Sequence, residues 1–221
     1  MLVALLALSF PAHAGTCLKI GVASGAVSSP AVARITDRVF SLAGTCAEIL
    51  SMPNNRLAAM TDSGELDGEA FKVSTYVEQH PALVAVPTPV YSFAGNLYWP
   101  GGTGEPRGPE IIVGVMLGQF WPKEAAAKND LSTFEVRSYD QMIEMTRSGR
   151  LQGFIMAADA FSVFKPRYDF LDSYKTKQVA DVPLHLVVAK GHLDLVPALD
   201  QAIKTLKARG DIERELKAQD Q

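Results

Sequence analysis

Met60-Thr61-Asp62-Ser63-Gly64-Glu65-Leu66-Asp67-Gly68 is echoed by Met145-Thr146-Arg147-Ser148-Gly149-Arg150-Leu151-Gln152-Gly153, with six of nine positions identical. A second echo lies upstream of each stretch, Gly21-Val22-Ala23-Ser24-Gly25 and Gly114-Val115-Met116-Leu117-Gly118, in the same order. An ordered pair of echoes points to two lobes built on one plan. The hydrophobic pattern spells out that plan. Leu18 to Ala23 and Ile111 to Met116 are apolar runs rich in β-branched residues and stopped near glycine, as buried parallel strands are. A helical pattern follows each: Val32, Ile35, Val39 and Phe40 in the first lobe, Trp121 to Lys128 in the second. Next come strands at Glu48 to Met52 and Thr133 to Val136. Helices follow, carrying Leu57 and Met60 in one lobe and Met142, Ile143 and Met145 in the other. Gly64 and Gly149 stand where left-handed helix caps stand. Third strands run from Leu66 to Phe71 and from Gln152 to Met156. β-α-β-α-β, twice, predicts an α/β protein with an open, mostly parallel sheet flanked by helices in each lobe.

Leu83 to Tyr91 contains Val86-Pro87-Thr88-Pro89, and Val179 to Pro183 leads into Leu184 to Ala189. Proline suits crossing and edge segments, so both stretches read as hinge crossovers between lobes. From Asp194 to Gln219 the chain reads as helical. Val196, Leu199, Ile203 and Leu206 form one apolar stripe, and Gly210 breaks it. This tail is expected to pack back on the first lobe. The expected division is a leader over 1–14, lobe one over 15–90, lobe two over 91–178, and a second part of lobe one over 179–221.

Leu2 to Phe10 is uncharged and apolar, and Pro11-Ala12-His13-Ala14 follows. Such a run with small residues at −3 and −1 reads as a secretory signal cleaved after Ala14; a buried N-terminal strand or helix is the alternative. It is too short to cross a bilayer as a helix, which takes about 20 apolar residues. Cys17 and Cys46 fit export. Each opens a predicted strand, and parallel neighbours would bring the sulfurs within reach. A bridge there would stabilise the fold by roughly 3 kcal/mol; two buried free thiols are the alternative. The net charge is −3, with both signs spread along the chain, which offers nucleic acid no basic footprint. His13, His80, His185 and His192 show no metal-ligand spacing, and there is no phosphate loop or nucleophile elbow. No metal, cofactor or catalytic residue is expected.

In open α/β sheets ligands bind beyond the carboxyl ends of the strands. Two lobes facing each other through those ends would enclose a cleft. Its candidate residues are Ser24 to Ser28 and Glu69, Phe71 and Lys72 in lobe one. In lobe two they are Gln119, Phe120 and Trp121 after Gly118, and Ala157 to Phe161 with Asp159. Pro122 suits a first helical turn, whose free N–H groups favour an anion, while Phe120 and Trp121 offer stacking faces. Each has a plainer reading. The aromatics pack on their own lobe, Glu69 and Lys72 form a solvated ion pair, and Asp159 caps the helix carrying Phe161 and Phe164. Tyr98 and Trp99 fit either the hinge or the core.

These motifs, in their order, resemble the family 3 extracellular solute-binding proteins. The resemblance rests on Ser63 to Glu69, Val86-Pro87-Thr88-Pro89-Val90-Tyr91, Gly114-Val115 with Gly118, Gly149 to Gly153, and Ala208-Arg209-Gly210-Asp211-Ile212. It implies the type II periplasmic binding fold, a periplasmic location, and a monomer that closes on a small polar ligand, amino-acid-like or an organic anion. Its partner would be an ABC permease or a membrane receptor. Two departures mark a divergent branch. Gln119 stands where members that bind amino acids place Ser or Thr, and Lys72 is the nearest cation where they place Arg. A few proteins on this scaffold are lyases; in that case Glu69 is the candidate acid or base.

Overall fold

The computed structural model describes residues 17–24 and 29–218. The expected leader over 1–14 lies outside the described residues, as do 25–28. The first repeat runs β1 (Leu18–Ala23), α1 (Ser29–Leu42), β2 (Ala47–Met52), α2 (Asn54–Asp62), β3 (Gly68–Lys72). Then come α3 (Ser74–Gln79), β4 (Leu83–Ala85) and β5 (Tyr91–Trp99). The second repeat runs β6 (Ile112–Met116), α4 (Trp121–Lys128), β7 (Ser132–Val136), α5 (Tyr139–Arg147), β8 (Gly153–Ala157). The chain ends with α6 (Ala158–Phe164), β9 (Lys175–Ala189), α7 (Val196–Ala208) and α8 (Asp211–Lys217). The repeated elements therefore form as the periodicity predicts, within a residue or two at their ends.

The echo has a structural meaning. Gly64 and Gly149 both sit at φ +74°, where a side chain would be strained. Both close their helix the same way: Glu65 N–H donates to the Met60 carbonyl at 2.8 Å, and Arg150 N–H to the Met145 carbonyl at 2.9 Å. Gly21 and Gly114 serve close approach of helix to strand. A Cβ would lie 2.5 Å from Leu57 Cδ2 at the first and 2.6 Å from Met142 Cγ at the second.

β1 pairs in parallel with β2 and β3, and β6 pairs in parallel with β7 and β8. The two three-stranded units are joined through β9 and β5 in the order β2-β1-β3-β9-β5-β8-β6-β7, with β4 also on β9. β9 is a single fifteen-residue strand. Lys175 to Leu184 pair antiparallel with β5, and from His185 onward β9 pairs with β3 and β4. Val179 to Pro183, read from the sequence as a crossover, thus lie inside a continuous strand, and the change of partner falls at Leu184/His185. The first crossover runs beside it: Val86 and Val90 N–H donate to Leu186 and Leu184 carbonyls, each at 2.8 Å.

Helix α1 buries Val32, Ile35, Val39 and Phe40 against Leu199, Ile203 and Leu206 of α7 and Ile212 of α8, so the tail does pack on the first lobe. Each such side chain contributes about 1.5–3 kcal/mol by leaving water. The second lobe has a more aromatic interior, with Phe154, Tyr98 and Leu171 in one cluster and Trp99 in another. Tyr98 and Trp99 are therefore core residues. Leu18 lies opposite Ala47, and one step before them Cys17 and Cys46 are disulfide-bonded, with Cα atoms 4.6 Å apart. Among the described residues no helix is long and apolar enough to cross a membrane, and no group of three His, Cys, Asp or Glu is placed to hold a metal.

Candidate functional site

A cleft of about 1060 Å³ opens between the halves at the carboxyl ends of the parallel strands. It is lined from one side by the ends of β1 and β3 and by α2 and α3, and from the other by the loop after β6 and by α4, α5 and α6. Tyr91, Phe93 and Leu184 close its back, on the strands that join the halves.

The lobe-one wall is decided by one irregularity. The register of β3 against β9 shifts between Glu69 and Lys72, and Phe71 takes φ +57°. A non-glycine residue in the left-handed region costs about 1 kcal/mol or more. Such bulges re-aim side chains. Here Phe71 and Lys72 both line the cleft, while Glu69 turns inward and is fully buried. Glu69 Oε1 accepts from Thr61 Oγ at 2.6 Å and from Tyr76 O–H at 2.5 Å, and Oε2 faces Lys72 Nζ at 2.7 Å. The Lys72 ammonium also lies 4.5 Å over the Tyr76 ring. Burial, reinforced by the Glu69 carboxylate, holds the Tyr76 phenol well above its ordinary pKa, so it stays a donor. The pair is buried, which corrects the expectation of a solvated one. Glu69 is also no part of the cleft surface, which leaves the candidate acid or base of a lyase behind the wall.

The repeat shows how unusual this is. Gly68 and Gly153 end the two echoes, and the next residues are Glu69 and Phe154, both fully buried. Continuing in register, Lys72 corresponds to Ala157 and Tyr76 to Phe161. Lobe two thus fills with an aromatic cluster, Phe154 and Phe161 with ring centroids 6.2 Å apart, the space that lobe one gives to a hydrogen-bonded charge pair. Neither Thr61 nor Tyr76 was singled out from sequence. Thr61 is identical to Thr146 in the echo, yet Thr146 Oγ only donates back to the Met142 carbonyl.

Lobe two presents Gln119, Phe120, Trp121 and Asp159, all on the cleft. Gln119 Nε2 donates to Tyr139 O–H at 3.2 Å. Burial raises the Tyr139 phenol above its ordinary pKa; the Gln119 bond opposes this and the Asp159 charge adds to it. Asp159 does not cap α6 from the N-cap position, which Ala157 occupies without a side-chain bond; its Oδ1 accepts the Ala160 N–H, at 2.7 Å. The first turn of α4 already carries an acid, Glu124. Ser24 is exposed at the end of β1, off the cleft lining, with its N–H on the Met52 carbonyl. The sequence reading also missed Tyr91, Phe93, Tyr139 and Phe164, which line the cleft from β5, α5 and α6.

Trp121 is held by its neighbours. Its ring meets Phe93 edge-on at 5.2 Å and lies flat against the backbone of Gly95, where a Cβ would sit 2.4 Å from the indole Cζ3. Gly95→Ala is expected to cost about 1–3 kcal/mol by overpacking and to shift Trp121 emission. Denaturant unfolding and fluorescence check it; an unchanged spectrum would show that the ring rests elsewhere.

No protein-family model matches the chain, and no curated protein matches it. Solved structures do. The GluR0 ligand-binding core in complex with L-glutamate superposes with a TM-score of 0.70 at 15% identity, over 93% of this chain and 98% of that one. The fold is that of the type II periplasmic binding proteins. The probable amino-acid ABC transporter extracellular-binding protein ytmK from Bacillus subtilis gives 0.67 at 12% identity, over 90% and 95% of the two chains. The VFT2 domain of Bordetella pertussis BvgS gives 0.64 at 14%, over 91% and 92%. In a type II periplasmic binding fold the cleft between the two halves is the place where a ligand is enclosed.

Proposed function

We propose that this chain is a divergent family 3 solute-binding protein that captures a small molecule in the interlobe cleft, acts on it by binding alone, and works as a periplasmic monomer that hands its ligand to an ABC importer. The observation that carries this reading is the large cleft lined from both halves at their strand ends, since closure over a ligand there gains contacts that the open state lacks. The similarity to binding proteins of ABC transporters supports delivery to such a permease. The apolar leader and the disulfide support export. The cleft is of ordinary size for a small ligand, and Phe, Tyr and Trp side chains from both halves line it, which suits a solute with an apolar part.

Native mass spectrometry of the protein as purified, followed by a thermal-shift screen of amines, amino acids and organic acids, tests this. A ligand at one hundred times its Kd stabilises by about 2.7 kcal/mol, which raises Tm by about 5–10 °C in a chain of this size. The absence of both a retained molecule and any shift across the screen would remove the reading.

A further inference from the structure

If the cleft holds a solute, as proposed above, its walls decide the charge of that solute. Among the described residues lobe one brings one buried cation to the surface of the cleft, Lys72, and Glu69 sits directly behind it at 2.7 Å. As an ion pair the two sum to zero. No arginine lines the cleft among the described residues, and His80 is turned onto Asp62 at 2.9 Å. At the rim Glu213 and Lys217 offset each other. Across the cleft, Asp159 is a carboxylate with no ion-pair partner among the described residues. Asp159, solvent-exposed on the cleft wall, is thus the one unmatched charge of this set. A ligand carboxylate pressed against Lys72 would have to share that ammonium with Glu69 and would lack a counter-charge of its own.

The same cleft is lined by Phe71, Tyr91, Phe93, Trp121, Tyr139 and Phe164. Aromatic faces attract cations, and this lobe already shows it: the Lys72 ammonium rests on the Tyr76 ring. Aromatic walls with one unmatched carboxylate suit a positive group carried on an apolar body. We infer that the cleft takes a small organic cation, a substituted amine or quaternary ammonium, and rejects carboxylates.

Three probes share one skeleton and differ in charge: phenethylamine, 2-phenylethanol and phenylacetate. Quenching of Trp121 reports binding, because the other indole, Trp99, is buried in the lobe-two core, so Trp121→Phe removes the signal. The amine is expected to bind about tenfold tighter than the alcohol, and phenylacetate more weakly than either. Asp159→Asn closes the gap between amine and alcohol. The inference is overturned if phenylacetate matches the amine, if the preference survives in Asp159→Asn, or if none of the three gives a saturable response. Retention of an anionic solute by the purified protein would overturn it while leaving capture intact. A protein that binds no small molecule at all removes both.

Discussion

Glu69→Ala is expected to lower the unfolding free energy by about 3–5 kcal/mol, because it leaves the Lys72 ammonium buried and unpaired. The loss has a second part. Thr61 and Tyr76 hydroxyls both donate to Glu69 Oε1, and each is stranded without its acceptor. Guanidinium unfolding with an unchanged m-value is the measurement. The repeat supplies the compensating design, since the corresponding positions of lobe two are apolar. Glu69→Met with Lys72→Met, Thr61→Val and Tyr76→Phe removes every polar member together and is expected to recover most of the loss, as apolar replacement of buried ion pairs often does. A single variant that costs under about 1 kcal/mol would mean that water reaches the pair.

Breaking the disulfide ranks next. Cys17 and Cys46 close a loop with a sequence separation of 29, which the chain-entropy treatment converts to about 3–4 kcal/mol. In a chain of this length that corresponds to a fall in Tm of about 10 °C. Paired Cys17→Ser and Cys46→Ser replacement, compared with the oxidised protein by calorimetry, checks it; equal melting temperatures would refute it. β1 and β2 stay paired through Leu18 to Ala23 and Ala47 to Met52, so the fold is expected to survive at room temperature.

The architecture was readable because periodicity and glycine placement act locally. Gly64 and Gly149 mark caps, Gly21 and Gly114 recur as an ordered echo, and the order of these signals is the order of the elements. The site was less readable, and particular residues show why. Glu69 follows Asp67-Gly68 at what reads as a strand end, and nothing in the sequence says that a bulge at Phe71 turns its carboxylate inward and Lys72 outward. That is a tertiary outcome of pairing with β9, a strand more than a hundred residues away. Pro183 argued for a crossover on local grounds, yet it sits opposite Ser92 in a long antiparallel pair. Phe93 and Tyr139 look like ordinary core aromatics; only the meeting of two lobes places them on a shared cleft.

The path of β9 also bears on how such a chain assembles. Residues 91–184 form one uninterrupted stretch that contains every strand of the second half-sheet, whereas the first half-sheet waits for His185 to Ala189 and for the two helices after them. On a chain made from its amino end, Val39 and Phe40 are synthesised more than 150 residues before Leu199 and Ile203, their partners, exist. The later half can therefore close while the earlier one still shows an uncovered helix face. During that interval this face is the surface most open to a chaperone, and a ribosome that stops before α7 releases a product with one finished half and one unfinished.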